Sequence, residues 1–194
     1  MIKEKDLTNL IIERLNPYFE IYPEIKGEFN HWNQKRTVRL DLGLFPKNEL
    51  IKTGFPKYFF GIEVKCFNLN TKEWTATEKT INTLHQCLNY KYSKFGNKKM
   101  EPAFILIADN FNIDYKNDFE HELFKTYIQT TIGFKQFAFK HNIGRLSMNG
   151  NNIRFAMQNS FWSNQNGFSN KELLNFYCGN RGYKKKPMTP IEFE

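Results

Sequence analysis

The sequence predicts an α/β fold in which helix, three strands, helix and strand follow one another, with a mostly β extension after them. Three patterns carry this expectation. Leu7, Leu10, Ile11 and Leu15 recur at helical spacing within residues 3–15. The stretches "RTVRLDLGLF" (36–45) and "FFGIEVKC" (59–66) alternate in polarity, as half-buried strands do. "PAFILIAD" (102–109) is a short continuous apolar run, which suits a strand covered on both faces.

The elements follow in order. Asn16-Pro17 ends the first helix. "YFEIYPEIKGEF" (18–29) reads as a strand with an irregularity at Pro23, which has no N–H to give a ladder. In 36–45, alternation places Val38, Leu40, Leu42 and Leu44 on one face, and Arg39, Asp41 and Gly43 on the other. Gly54 and Pro56 mark a loop before the third strand. There Gly61, Glu63 and Lys65 face one way, and Ile62, Val64 and Cys66 the other.

A second helix is expected over 75–93, with Thr77 as N-cap and Ile81, Leu84 and Leu88 as the buried stripe. A third is expected at about 118–131. "FKQFAFKHN" (134–142) and "GRLSMNGNNIRFAM" (144–157) read as strands, and Asn149-Gly150 is a strong hairpin signal. A single domain is expected over 1–194, with a core at about 1–132, a β-rich extension at about 133–180 and a basic tail at 181–194.

The formal charge of +8 and pI near 9.3 suit a polyanionic partner. No segment approaches the roughly 18–20 apolar residues of a membrane span, and "MIKEKDL" has no signal-like apolar stretch. A soluble, cytoplasmic protein with no membrane partner is expected. Cys66, Cys87 and Cys178 are odd in number and widely spaced, so reduced thiols are expected rather than a disulfide or zinc framework.

Asp41 and Glu63 fall on adjacent predicted strands, with Lys65 two residues after Glu63. If those strands pair in register, two carboxylates and one ammonium converge. That donor set suits Mg²⁺, which prefers oxygen ligands, keeps several waters and commonly takes one or two carboxylates plus substrate phosphate. A Glu-x-Lys alone in a strand is ordinarily a solvated pair. Here Asp41 shares its predicted face, and Gln86 and Tyr90 follow at i and i+4 on one face of the second helix.

With Asp41 in "RLDLGLF", Glu63-Val64-Lys65 in "GIEVKC" and Q-x-x-x-Y in "HQCLNYKYS", the chain resembles the PD-(D/E)xK nuclease superfamily, nearest to its RecB and phage-exonuclease branch. The resemblance covers about residues 1–110. It departs from the family pattern where Leu40 stands in place of the proline before the aspartate. It implies a restriction-endonuclease-like core, a mixed central sheet flanked by helices in the order α-β-β-β-α-β.

The resemblance further implies that Asp41 and Glu63 are metal ligands, that Val64 supplies a backbone carbonyl, and that Lys65 is the catalytic lysine. Gln86 and Tyr90 would help hold the substrate strand. Some members add a glutamate from the first helix. Glu13 is the candidate here, with Glu4 one or two turns earlier and Glu28 in the first strand as rivals.

The function so implied is Mg²⁺-dependent hydrolysis of DNA phosphodiester bonds in DNA processing, recombination or repair, with Mn²⁺ as substitute. A homo-oligomer, or a recombination or replication partner protein, is compatible with it. The alternatives are a catalytically silent DNA-binding or assembly subunit of the same fold, and a junction resolvase or restriction-type endonuclease in place of an exonuclease. Lys98-Lys99 and Lys184–Lys186 could touch phosphates or serve solubility, and Trp32, Trp74 and Phe161-Trp162 could stack on bases, although in a chain this rich in Phe such aromatics are more often core.

Overall fold

The computed structural model describes residues 3–31, 33–66, 73–97, 99–113, 141–157 and 160–169. The elements are α1 (Glu4–Leu15), β1 (Phe19–His31), β2 (Gln34–Pro46), α2 (Asn48–Lys52), β3 (Phe60–Lys65), α3 (Glu73–Lys91), β4 (Ser93–Phe95) and β5 (Phe104–Ile113). They continue with β6 (Ile143–Asn149), β7 (Asn152–Met157), β8 (Ser160–Ser163) and β9 (Gly167–Ser169). The expected order is present, with the short α2 and β4 added. The expected helix at 118–131, most of 134–142 and the basic tail lie outside the described residues.

All the described strands join one sheet, nine-stranded among the described residues, in the order β4-β1-β2-β3-β5-β6-β7-β8-β9. The β3–β5 and β5–β6 pairs are parallel and the others antiparallel, so the sheet is mixed and mostly antiparallel. A parallel pair needs a crossover, and α3 lies between β3 and β5 in the chain. The β6–β7 hairpin closes through Asn149↔Asn152, with Gly150 at φ 55° in the turn. No helix among the described residues is long and apolar enough to cross a membrane.

Two apolar layers cover the sheet. On one face Leu7, Ile11 and Leu15 of α1 pack with Leu42, Leu44, Ile62, Val64 and Leu106. On the other, Leu84, Cys87 and Tyr90 of α3 pack with Ile25, Leu40, Phe59 and Ile105. β3 and β5 feed both layers, which explains why β5 reads as unbroken apolar sequence.

The expected faces of β2 and of the second helix are corrected. β2 does not keep one apolar face: Val38 and Leu40 join the α3-side core, whereas Leu42 and Leu44 join the α1 side. β1 switches in the same row, with Phe19 and Ile21 on the α1 side and Ile25 on the α3 side. Glu24, at φ 51°, sits at the switch between the pairs Pro23↔Leu42 and Ile25↔Leu40. A left-handed residue breaks the period of two, so both strands turn over together.

The second helix starts at Glu73, a turn before the expected cap Thr77, and Ile81 is 42% exposed. Its buried stripe is Leu84, Cys87 and Tyr90, with Leu88 partly covered. The helix is therefore rotated from the expected face. Lys91 at its end is buried and donates from Nζ to the carbonyls of Pro102 (2.6 Å) and Ala103 (2.9 Å).

Trp162 belongs to the core, the more common of its two readings. It is buried against Phe19, Phe55, Phe155 and Tyr18, mostly edge to face. This cluster ties β7 and β8 to β1 and makes the extension part of the main core. Trp162→Ala is expected to cost about 3–5 kcal/mol. Denaturant unfolding should lose that stability in a single transition; a separate early transition of the extension would contradict the shared core.

Candidate active site

The site begins where two strands part. β2 and β3 pair through Leu44↔Phe60, Gly43↔Gly61 and Leu42↔Ile62, and there the ladder ends. The next residues are Asp41 and Glu63. The Val64 N–H donates to Asp41 Oδ2 at 2.8 Å, so a side chain takes over where ladder pairing stops. Val64 thus reaches the site through its backbone while its side chain packs in the α1-side core.

Glu63 points to the α3 side and is 1% exposed. Lys65, two residues on and on the same face, lies with Nζ 2.6 Å from Glu63 Oε1. The structure therefore brings Asp41, Glu63, Val64 and Lys65 together. Burial and then the charge of Asp41 push the Glu63 carboxyl up to about 7, against the opposing pull of Lys65. Burial works against the Lys65 ammonium, but Glu63, Asp41 and Glu4 together outweigh it and raise its pKa.

The two helical candidates separate. Tyr90 is buried, and its phenol is raised by burial and then by the Glu63 and Asp41 carboxylates, which places it behind Glu63. Gln86, one turn earlier, is exposed and lines an open cleft of about 280 Å³ with Lys65, Glu4, Glu78, Lys79, Asn82 and Thr83. Lys79 donates to the carbonyl of Cys66, the residue after Lys65, and so ties α3 to the end of β3.

Glu13 is not brought to this cleft. It is exposed and lies nine residues beyond Glu4, about 13 Å along α1. Glu28 is also exposed and pairs with Lys99 at 3.5 Å. Of the three acidic rivals, Glu4 at the start of α1 is the one the fold delivers, because α1 runs with its N-terminus toward the cleft. Lys79, Asn82 and Thr83 escaped the sequence reading, although they share with Gln86 the i, i+3, i+4, i+7 spacing of one helix face. The pair of buried Asp109 with half-buried Arg145 (3.1 Å) was also missed; Asp109 sits beside Lys65 in the β3–β5 register.

The donor set fits a hard cation. Glu63 Oε2 is buried with no hydrogen-bond partner, the kind of acceptor that needs a ligand or a proton. Asp41 lies close enough to raise the Glu63 pKa by its charge. Among the described residues no group of three or more His, Cys, Asp and Glu gathers into a fuller cage. Two carboxylates with water and phosphate suffice for Mg²⁺.

Known proteins offer no guide here. No family model matches the chain, and no curated protein or solved structure was found to be similar.

The raised Glu63 carboxyl makes stability pH-dependent. Because its folded pKa lies above the ordinary 4.5, the stabilisation is complete below 4.5 and is lost as pH rises through about 7. In EDTA the protein should lose about 3 kcal/mol between those limits and pH 8. Glu63→Gln should flatten that dependence in thermal unfolding. An unchanged pH profile in the variant would remove Glu63 as its cause.

Proposed function

We propose that the chain is a Mg²⁺-dependent nuclease that hydrolyses DNA phosphodiester bonds, with Mn²⁺ able to substitute. The observation that carries this reading is the buried, partnerless Glu63 Oε2 beside Asp41, with the Lys65 ammonium 2.6 Å from the other Glu63 oxygen. Such a group is costly to bury and is explained by a cation and an anion that arrive together.

Asp41 and Glu63 would hold the metal, with the Val64 backbone beside them. When bound, Mg²⁺ would acidify an attacking water and offset charge at the phosphoryl oxygens. The chain's own groups do the rest. The Val64 N–H fixes the Asp41 carboxylate, and Tyr90 packs behind Glu63. Lys65 holds positive charge at the cleft wall, where it can orient the water or meet developing negative charge.

Gln86 offers its amide to the substrate strand from the opposite wall. With Tyr90 it resembles the Q-x-x-x-Y motif of the RecB and phage-exonuclease branch, and that resemblance implies processing of DNA ends or single strands. Glu4 stands at the cleft mouth in the place first assigned to Glu13.

Cleavage of a labelled duplex, a single strand, a four-way junction and a closed plasmid, each with Mg²⁺ and with EDTA, tests the reading. Cutting should need the metal and an end. Asp41→Ala and Lys65→Ala should each lower the rate by about 10²-fold or more. Cleavage that survives both substitutions would dismiss these residues. DNA binding with no Mn²⁺ uptake in calorimetry would favour the silent DNA-binding subunit, and nicking of closed circles would favour an endonuclease.

A further inference from the structure

The outer half of the β1–β2 hairpin carries a charged face that the cleft does not use. Beyond the switch at Glu24, Ile25 packs into the α3-side core with Phe95. A Cβ on Gly27 would press into the Phe95 ring at 2.5 Å, so the odd-numbered residues of this stretch face α3. The alternate residues point the other way, beyond Phe19 and Ile21, the β1 residues that share the α1-side core. They are exposed.

Register arranges this face in rows across three strands. Lys26 stands opposite Arg39, and Asn30 opposite Lys35. Glu28 lies between Thr37 on β2 and Lys94 on β4. Rows on one face are about 7 Å apart and strands about 4.8 Å apart. Lys99 joins at the edge through Glu28 at 3.5 Å, as Arg39 joins Glu24 at 3.5 Å. Lys26, Lys35 and Lys94 make no ion pair with a described residue. The face therefore holds five cations against two carboxylates.

We infer that this face is a second contact surface for nucleic acid, engaging the phosphate backbone of a duplex at a place distinct from the cleft. Regularly spaced cations on a solvent-facing ribbon complement a line of phosphates. Other partners fit less well. A membrane surface or a protein interface wants apolar or aromatic anchors. Ile81 on α3 is the only exposed large hydrophobic among the described residues, and it lies off this face. The row Lys26–Arg39 is two residues from Asp41 along β2 but is turned to the opposite face from α3, so a duplex held here would make a contact separate from the cleft.

The test is binding of a fluorescent 30-base-pair duplex, titrated in EDTA at several KCl concentrations. The triple variant Lys26→Gln/Lys35→Gln/Lys94→Gln should make the slope of log K against log salt shallower by about 2 to 3. A charge-matched control, Lys5→Gln/Lys52→Gln/Lys57→Gln, should keep the wild-type slope, and both should keep the wild-type melting temperature. The inference is overturned if the two triples weaken binding alike, if the slope does not move, if the wild type does not bind the duplex, or if it prefers anionic vesicles. Because no cutting occurs in EDTA, a protein that binds through this face yet never cleaves would support the inference while removing the nuclease reading.

Discussion

The Val64 N–H to Asp41 bond is the constraint on which the candidate site depends. A backbone donor in a buried strand must find an acceptor. The β2–β3 ladder has ended at Leu42↔Ile62, and the donor finds a side chain instead. That one contact fixes the Asp41 carboxylate beside Glu63 and holds the strands where they part. Without the parting there would be no room for a ligand between the carboxylates. Without the bond, Asp41 would be a mobile charge at the edge of the core.

The turnover of β1 and β2 serves the same arrangement. It lets Leu42 and Leu44 pack on α1 while Leu40, two residues away, packs on the α3 side. Asp41 lies at the crossing, where neither core claims its side chain. The outer hairpin then continues with its polar residues turned away from α3, which makes Lys26, Lys35 and Arg39 one face. A backbone irregularity at Glu24 thus separates the buried half of the ribbon from its charged half.

The candidate site costs the fold stability. Glu63, Lys65 and Tyr90 are ionisable groups drawn into a place that pushes the Glu63 carboxyl up to about 7. An apolar trio of similar size would pack there at lower cost. The aromatic cluster around Trp162 and the two continuous cores supply the compensating burial, and they do so from every part of the described chain, including β7 and β8.

The sequence by itself determined the elements and the ordering of their charges, because periodicity is a local property. Alternation in 59–66 placed Glu63 and Lys65 on one face, and helical spacing put Gln86 and Tyr90 on one side of α3. It misplaced what depends on how elements meet. Four leucines and valines read as one face of β2 because a period of two cannot show a turnover caused by Glu24 in the neighbouring strand. Ile81 looked buried because spacing gives a stripe but not the angle at which a helix lies on its sheet. Glu13 was preferred to Glu4 because only packing decides which end of α1 meets the cleft. The tertiary structure alone decided that Gln86 opens into solvent while Tyr90 closes behind Glu63, since burial is set by neighbours distant in the chain.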